Sequence, residues 1–250
     1  MSGSLEGRKV LITGASSGIG EATARAIAAA GGAVALGARR KDRLDEIADR
    51  IEADGGRVVA VAADIGDEAQ ARRLVETASV KLGGLDGLVN NAGVMLLGLV
   101  QGADTSEWRR MVDVNLLGLL YCTHAALPVI RDGGGGDVVN VSSVAGRIAG
   151  LGAAVYNLTK WGVTGFSEAL RQEGRHIGVR VTCVEPGFVE TELQGHNQDP
   201  MVLERIAKDR EQMGAVLEAG DIARAIVYAL AQPSHVSVNE ILVRPTGQAR

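Results

Sequence analysis

A phenol and an ammonium group stand four residues apart in the second half of the chain. Tyr156 and Lys160 lie in the segment AVYNLTKWGV, whose other residues are suited to packing in a helix. Residues at i and i+4 share one face of a helix, and a cation beside a phenol lowers its pKa from about 10. The pair thus has the chemistry of a proton donor. A packed Tyr beside a Lys that extends to solvent has the same spacing, so other residues must decide between the two interpretations.

A glycine-rich turn near the start of the chain has the chemistry of a phosphate site. Gly14, Gly18 and Gly20 follow the apolar run KVLIT and precede a stretch of helical period. Such a turn lets backbone N–H groups approach a pyrophosphate, and the N-terminus of the following helix adds partial positive charge. Methyltransferases and ordinary tight turns also use glycine-rich turns, but this one follows the first strand, as a dinucleotide fold requires.

The end of the second apolar run indicates which dinucleotide fits. NAD-binding folds usually carry Asp or Glu there to bind the ribose hydroxyls, whereas this chain reads GARRKDR, with Ala38 before Arg39 and Arg40. A guanidinium binds a 2′-phosphate through paired, charge-assisted hydrogen bonds, which a carboxylate would oppose. The alternative, a solvated basic start of a helix, accounts for Arg43 but less well for the missing acid. The pattern favours NADP(H), with Arg39 as the more direct contact.

Short apolar runs alternate with longer segments of helical period along the whole chain. The predicted strands are 9–13, 33–37, 57–63, 85–91, 137–143, 179–186 and 239–245. The predicted helices are 18–30, 41–53, 67–82, 105–131, 153–175 and 221–231. This alternation is typical of βαβ units. It predicts an α/β fold in a single domain spanning 1–250, a Rossmann-like, doubly wound parallel sheet of seven strands with helices on both faces.

The segment 188–216 lies outside this alternation. It follows the sixth predicted strand and has the pattern of one or two short helices. Inserts at the carboxyl ends of sheet strands commonly cover ligands. We therefore expect it to cover the substrate, with a surface helical hairpin of no function as the alternative.

Composition restricts the class of partner and the compartment. The chain of 250 residues carries a net charge of −4 and no basic cluster, which argues against nucleic acid and membranes as partners. No apolar run reaches the roughly 18 residues of a membrane span, and the N-terminus lacks the apolar core of a signal peptide. Cys122, Cys183 and the four histidines show no metal-ligand spacing. We expect a cytoplasmic protein without a metal site.

Six short motifs occur in the order found in a known family. They are TGASSGIG at 13–20, NNAG at 90–93, DVNLLG at 113–118, NVSS at 140–143, YNLTK at 156–160 and EPG at 185–187. Together they resemble the short-chain dehydrogenases/reductases over nearly the whole chain. The stretches 95–128 and 142–160 resemble a narrower group, the clavulanate dehydrogenases and bacterial NADP-dependent 3-hydroxy acid dehydrogenases. The resemblance implies an NADP(H)-dependent oxidoreductase that moves a hydride between the nicotinamide and a small ketone, aldehyde or alcohol.

Carried over position by position, the family's pattern implies a catalytic tetrad of Asn115, Ser143, Tyr156 and Lys160. Ser143 precedes Tyr156 by 13 positions, as the family requires. Ser143 would hydrogen-bond the carbonyl oxygen of the substrate from the end of its strand, while Ser142 points the other way because strand side chains alternate. The amide of Asn115 would hold a water that links Lys160 to solvent. Tyr156 would act as the general acid or base.

The resemblance also implies the residues that contact the cofactor. Asn91 and Gly93 lie near the adenine ribose, and Asp64 meets the adenine ring. Val189 and Thr191 contact the nicotinamide carboxamide. The full predicted set is Gly14, Ser16, Ser17, Gly18, Ile19, Gly20, Arg39, Arg40, Asp64, Ile65, Asn91, Ala92, Gly93, Tyr156, Lys160, Pro186, Gly187, Val189 and Thr191.

Mostly aliphatic residues are expected to form the substrate pocket beside Ser143 and Tyr156, which suits a modest apolar carbonyl compound. They are Met95, Ile148, Leu151, Phe188 and His196. The family's assembly implies a homotetramer through the helices at 105–131 and 153–175, with a dimer as the next possibility. The alternative function is an NADP(H)-sensing Rossmann protein without turnover, although such proteins typically lose the Tyr or the Lys. A methyltransferase would have no use for the tetrad.

Overall fold

The computed structural model describes residues 4–249. Its strands are β1 (Lys9–Thr13), β2 (Ala33–Ala38), β3 (Val58–Ala62), β4 (Gly87–Asn90), β5 (Gly136–Val141), β6 (Val179–Pro186), β7 (Val189–Glu190), β8 (Leu217–Glu218) and β9 (Glu240–Val243). Its α-helices are α1 (Gly18–Ala29), α2 (Lys41–Ala53), α3 (Glu68–Leu82), α4 (Thr105–Val112), α5 (Gly118–Asp132), α6 (Ala154–Gly174), α7 (Pro200–Met213) and α8 (Ala219–Leu230). A π-helical turn (Asp113–Leu117) joins α4 to α5, and 3₁₀ turns occupy Val144–Gly146, Arg175–Ile177 and Glu192–His196.

The main sheet is parallel throughout, in the order β3-β2-β1-β4-β5-β6-β9. Parallel neighbours need crossover connections, which the helices between consecutive strands supply. The strand order reverses between β1 and β4, and α/β folds bind ligands in the crevice that such a reversal leaves at the carboxyl edge. The predicted fold class, a Rossmann-like sheet of seven strands covered on both faces, is confirmed.

Alternate residues of β1 serve the two faces of the sheet. Val10 and Ile12 are completely buried in a cluster with residues of α1, α2 and α8. Leu11 is completely buried in a second cluster, with residues of α3, α5 and α6. A strand covered on both faces reads as an unbroken apolar run, and this is why KVLIT shows no polar alternation.

Polar residues and glycine define the ends of α3. The carboxylate of Asp67 accepts a hydrogen bond from the backbone N–H of Gln70 at 2.8 Å, which caps the N-terminus. Gly83 follows the last turn with a φ of 73°, a left-handed conformation that suits glycine. The helix therefore stops where the chain must turn back into β4.

α4, the π-helical turn and α5 form one helical run, Thr105–Asp132, which by length and composition alone could cross a membrane. Cys122, Ala126 and Ile130 of α5 are completely buried between α3 and the sheet. The run is therefore a core helix of the domain. The sequence predicted a single helix at 105–131 and not the π-helical turn within it, which carries Asn115.

The insert, residues 188–216, leaves the main sheet after β6. β7 pairs with β8 in parallel, so the two ends of the insert lie side by side. Between them stand a 3₁₀ turn and α7, in line with the one or two short helices expected from the sequence. Asp199 caps α7 by accepting the N–H of Met201 at 2.8 Å, and Pro200 occupies the first turn, where its missing N–H is not needed.

Candidate active site

A cleft of about 830 Å³ lies at the carboxyl edge of the main sheet. It is lined by the turn after β1, the segments that follow the central strands, α6 and the insert. The residues predicted from the sequence that line it are Gly14, Ser16, Ser17, Ile19, Arg39, Arg40, Asp64, Ile65, Asn91, Ala92, Gly93, Met95, Ser143, Tyr156, Lys160, Pro186, Gly187, Phe188, Val189, Thr191 and His196. The topology thus brings most of the predicted site together.

The turn after β1 leaves no room for a side chain at Gly14 or at Gly20. A Cβ at Gly14 would lie 2.7 Å from the Cα of Ala92, and one at Gly20 would lie 2.3 Å from the carbonyl oxygen of Gly14. Gly18 has a φ of 55°, which other residues rarely adopt. Ser17 precedes α1 without capping it through its side chain, so the first N–H groups of the helix remain for a phosphate. The turn therefore fits the pyrophosphate of a dinucleotide.

Arg40 contacts the glycine turn. Its Nε and Nη2 donate to Oγ of Ser16 at 3.2 and 3.1 Å, and Nη2 donates to Oγ of Ser17 at 2.8 Å. Nη2 also donates to Glu192 of the insert at 2.8 Å, and this bond lowers the pKa of the Glu192 carboxyl. Arg39 lines the same cleft, where within residues 4–249 it makes no ion pair. The assignment of Arg39 as the closer phosphate contact stays a prediction.

Tyr156 and Lys160 share the buried face of α6, as their spacing predicted. Each is 6% exposed, and Nζ of Lys160 lies 5.8 Å from the centre of the phenol ring. Burial raises the pKa of Tyr156 to about 12 and lowers the pKa of Lys160 to about 8. The rise at Tyr156 comes from desolvation, which disfavours the phenolate, and the lowering of this pKa by the Lys160 ammonium group stays a prediction.

Ser143 stands at the end of β5, where the chain enters a 3₁₀ turn. Its Oγ accepts the N–H of Ala145 at 3.1 Å and forms a hydrogen bond with Tyr156 that opposes the rise in the pKa of that phenol. The neighbouring Ser142 donates instead to the carbonyl oxygen of Lys160 at 3.0 Å. The two serine hydroxyls therefore have different partners, as the alternation along the strand predicted.

The π-helical turn holds Asn115 behind the cleft wall. Its Oδ1 accepts the N–H of Val94 at 2.8 Å, and its Nδ2 donates to the carbonyl oxygen of Val94 at 2.9 Å and to Thr159 Oγ1 at 3.1 Å. Both hydrogens of the Asn115 amide are thus used. A water bound to this side chain would have to donate to the second lone pair of Oδ1. A Cβ at Gly93 would lie 3.4 Å from this Oδ1 and 3.8 Å from Nζ of Lys160. The missing side chain leaves space between the two groups.

Two residues predicted to form the substrate pocket lie outside the cleft lining. Ile148 and Leu151 belong to the loop between β5 and α6, and Leu151 is 75% exposed. The side chain of Asn157 fixes this loop: Nδ2 donates to the carbonyl oxygen of Ile148 at 2.8 Å, and Oδ1 accepts the N–H of Gly150 at 3.1 Å. Because these bonds hold the loop against the start of α6, its tip turns towards solvent.

Sequence reasoning missed residues that reach the cleft from distant parts of the chain. Arg110 of α4 and Gln248 near the C-terminus line it, and Gln248 Oε1 accepts the N–H of Phe188 at 2.9 Å. Burial, and then Arg110, lower the pKa of His196 in the insert. No local pattern marks these residues, because each contact joins segments that meet only in the folded chain.

A buried carboxylate supports the site from behind. Glu185, at the end of β6, is 0% exposed and accepts a hydrogen bond from Nε of Arg147. Burial raises the pKa of Glu185, and the Arg147 guanidinium opposes that rise. Arg147 follows the 3₁₀ turn that begins beside Ser143, so the ion pair ties this turn to the sheet. The EPG motif at 185–187 singled out Glu185 in the sequence, but it did not indicate that Arg147 pairs with this carboxylate.

The chain resembles proteins whose names describe redox enzymes. A family model described as short chain dehydrogenase matches residues 8–201. Glycine betaine reductase ATRR of Emericella nidulans is 43% identical over 97% of this chain, which spans 19% of that protein's length. The uncharacterized oxidoreductase SSP1627 of Staphylococcus saprophyticus is 40% identical, and the match covers 96% of each chain.

Two of the solved structures that this chain resembles were determined with NADP-type nucleotides. The closed form of a serine dehydrogenase in complex with NADP+ matches with a TM-score of 0.88 and 31% identity, over 96% of each chain. An alcohol dehydrogenase from the archaeon Thermococcus sibiricus, in complex with 5-hydroxy-NADP, matches with a TM-score of 0.85 and 29% identity, over 97% of this chain and 99% of that one.

Proposed function

The chain belongs to the short-chain dehydrogenase family, and from that premise we propose that it is an NADP(H)-dependent oxidoreductase. Its reaction transfers a hydride between the nicotinamide and a small ketone, aldehyde or alcohol. The observation that carries the proposal is that Ser143, Tyr156 and Lys160 line one cleft, with the buried ammonium group of Lys160 lying 5.8 Å from the centre of the Tyr156 ring. A packing role for this tyrosine would not require a buried lysine next to it.

Tyr156 serves as the proton donor when a carbonyl is reduced. When bound, the reduced nicotinamide supplies the hydride. Because burial raises the pKa of Tyr156 to about 12, the phenol carries its proton throughout the neutral range. An alkoxide is a stronger base than a phenolate, so transfer from the phenol to the substrate oxygen remains favourable. The hydroxyl of Ser143 holds that oxygen, and the ammonium group of Lys160 stabilises the phenolate that remains on Tyr156.

Arg40 and the two serines beside it support the preference for NADP(H). They place a guanidinium and two hydroxyls at the glycine turn, where such groups suit the 2′-phosphate of the cofactor. Arg39 adds a second guanidinium to the same cleft, and Ala38 in place of an acid removes a repulsion. The neighbouring structures that were solved with NADP point the same way.

The cleft wall near Tyr156 favours an apolar substrate. Val94, Met95 and Phe188 line this part of the cleft, and apolar walls select compounds of matching shape more than compounds of matching charge. The insert contributes Phe188 and His196 to the lining, which supports its proposed role as the substrate cover. The narrower resemblance to reductases of 3-hydroxy acids and clavulanate stays a prediction.

Exposed apolar residues on α5 and α6 support a homotetramer, with a dimer as the next possibility. Leu158 and Trp161 of α6 are 63% and 52% exposed, and Leu120 of α5 is 36% exposed. Subunit contacts commonly use apolar surface of this kind where it is contiguous, and this supports the proposed assembly. We place the protein in the cytoplasm on its composition, since both cysteines are buried free thiols.

Turnover with NADPH and a panel of aldehydes and ketones tests the proposed function. We expect steady NADPH oxidation with at least one apolar carbonyl compound, and a much lower rate with NADH. Binding of NADPH is measured separately, by the change in its fluorescence. Tight binding without turnover on any member of the panel would favour the alternative, an NADP(H) sensor, and absence of binding would contradict both functions.

A further inference from the structure

Two asparagine side chains hold the extended segment 93–97 between β4 and α4. On one side, Asn115 accepts the N–H of Val94 at 2.8 Å and donates to the carbonyl oxygen of the same residue at 2.9 Å. On the other side, Asn197 accepts the N–H of Leu97 at 2.8 Å and donates to the carbonyl oxygen of Met95 at 3.2 Å. Each amide thus offers the segment one donor and one acceptor, as a neighbouring strand would.

Asn197 belongs to the first part of the insert, before α7, and fastens it to the segment. It follows the 3₁₀ turn Glu192–His196 and is 6% exposed. Its Nδ2 also donates to the carbonyl oxygen of Gln194 at 3.0 Å, so the side chain is anchored within the insert as well. The two ends of the insert are held together separately, by the pairing of β7 with β8. Asn197 is therefore placed to set the distance between the 3₁₀ turn of the insert and the cleft wall.

The segment that Asn197 contacts forms the wall next to the proposed proton donor. Val94, Met95 and Leu97 line the cleft, and Val94 and Leu96 pack with Tyr156 in one buried cluster. A shift of this segment therefore changes the shape of the cleft beside Tyr156. Met95 and Leu97, which Asn197 contacts, are not among the predicted cofactor contacts, which include the glycine turn, Arg40 and, at the start of the segment, Gly93.

We propose that Asn197 is a positioning residue that docks the insert on the cleft wall and so sets the fit of the carbonyl substrate, an inference that rests on the proposed function. The amide is required because Asn197 is 6% exposed and both of its bonds to the segment are partly shielded from water. Replacing it with an apolar side chain leaves the N–H of Leu97 and the carbonyl oxygen of Met95 without partners, and such groups are costly to bury. An aspartate keeps the acceptor for Leu97 but loses the donor for Met95.

The first experiment measures hydrogen exchange at single backbone amides in the protein without added ligand. In Asn197→Leu, the amide of Leu97 is expected to exchange at least about tenfold faster than in the wild type, since a tenfold change corresponds to about 1.4 kcal/mol, near the worth of a lost buried hydrogen bond. The amide of Val94 is the internal reference, because its acceptor is Asn115. In Asn197→Asp, Leu97 should stay protected. The exposed neighbour Gln198, changed to Ala, is the matched control.

The second experiment compares the kinetic constants of the same variants. Asn197→Leu is expected to raise KM for the best carbonyl substrate about tenfold, while kcat changes less than about threefold and the Kd for NADPH stays within about twofold. Asn197→Asp should fall between this variant and the wild type. A variant that is only less stable would instead lose kcat in proportion to its unfolded fraction and keep the wild-type KM.

Each outcome decides the proposal. Unchanged exchange at Leu97 in Asn197→Leu would show that the amide does not dock the insert. Faster exchange with an unchanged KM would show a structural bond without influence on the substrate. Either result overturns the proposal. If the wild type turns over no carbonyl compound, the proposed function fails and the substrate role of Asn197 fails with it, whereas the exchange experiment still decides whether Asn197 docks the insert. If Asn197→Leu does not fold, Asn197→Asp alone decides, through its KM.

Discussion

Replacing Lys160 with Met is expected to stabilise the protein while abolishing the proposed turnover. Burial lowers the pKa of Lys160 from 10.5 to about 8. One pKa unit corresponds to about 1.4 kcal/mol, so keeping this ammonium group charged below pH 8 costs about 3 kcal/mol of folding free energy. The lost hydrogen bond from Nζ to the carbonyl oxygen of Val141 offsets about 1 kcal/mol of the gain. The net gain of about 2 kcal/mol at pH 7 corresponds to a rise in Tm of about 4–8 °C.

The stability gain of Lys160→Met should depend on pH in a defined direction. Below pH 8 the lysine is charged in both the folded and the unfolded protein, so the full penalty is present. Between pH 8 and 10.5 the folded protein loses this proton first. The unfolded state then binds more protons, and the stability of the wild type rises with pH. The advantage of the variant should therefore shrink across this range, and the titration of Tyr156 cancels because both proteins contain it.

Urea unfolding at fixed protein concentration, repeated between pH 7 and pH 10, measures both effects. Lys208→Met on the exposed surface of α7 is the matched control, and it should stay within about 0.5 kcal/mol of the wild type. A Lys160→Met variant that is less stable than the wild type at pH 7 would refute the reasoning. An advantage of the same size at pH 7 and at pH 10 would refute it as well.

Other measurements address the proposed chemistry, the cofactor and the assembly. Tyr156→Phe should lower kcat by about 10²–10⁴-fold with little change in the Kd for NADPH, and near-normal turnover would contradict its role as the acid. The kcat/KM for carbonyl reduction should fall above pH 8 as Lys160 loses its proton, and Lys160→Arg, which stays charged, should move this limb to higher pH. If the fall in kcat/KM stays at the same pH in Lys160→Arg, a group other than Lys160 causes it. Arg40→Ala should raise KM for NADPH about tenfold or more while KM for NADH stays nearly constant, and equal effects on both would contradict the contact with the 2′-phosphate. Light scattering at micromolar concentration should show a tetramer that Trp161→Glu breaks down, and a wild-type monomer would contradict the assembly.

The fold was predictable because its signals are local. The strands of the main sheet are mostly apolar runs such as KVLIT, and those before the last are followed by segments of helical period, so the alternation predicts a parallel sheet covered on both faces. The boundaries also follow from local chemistry, as Asp67 and Gly83 do at the ends of α3. The π-helical turn was not predictable from the pattern. The residues around Asn115 have ordinary helical periodicity, and the side-chain bonds that fix this position come from Val94 and Thr159, which are distant in the sequence.

The sequence predicted the candidate site only where the spacing of residues determines which face of a helix or strand a side chain occupies. The four-residue spacing places Tyr156 and Lys160 on one face of α6, and it would do so in any helix. Their pKa values were not predictable, because they depend on how much water the fold removes. The same limit applies to the loop after β5. Nothing near Leu151 in the sequence shows that Asn157 bonds the backbone of this loop, and the sequence therefore could not indicate that Ile148 and Leu151 lie outside the cleft lining.

Desolvation moves the pKa values of Tyr156 and Lys160 in opposite directions, past each other, and so reverses their ordinary order. In water a tyrosine loses its proton slightly before a lysine, whereas here Lys160 has a pKa of about 8 and Tyr156 one of about 12. The phenol therefore holds its proton until a stronger base appears beside it, and the alkoxide formed by hydride addition to a carbonyl is such a base. The packing of Val94 and Leu96 on Tyr156 excludes the water that would otherwise restore the ordinary order. The apolar wall of the cleft therefore helps to keep Tyr156 protonated until it donates its proton.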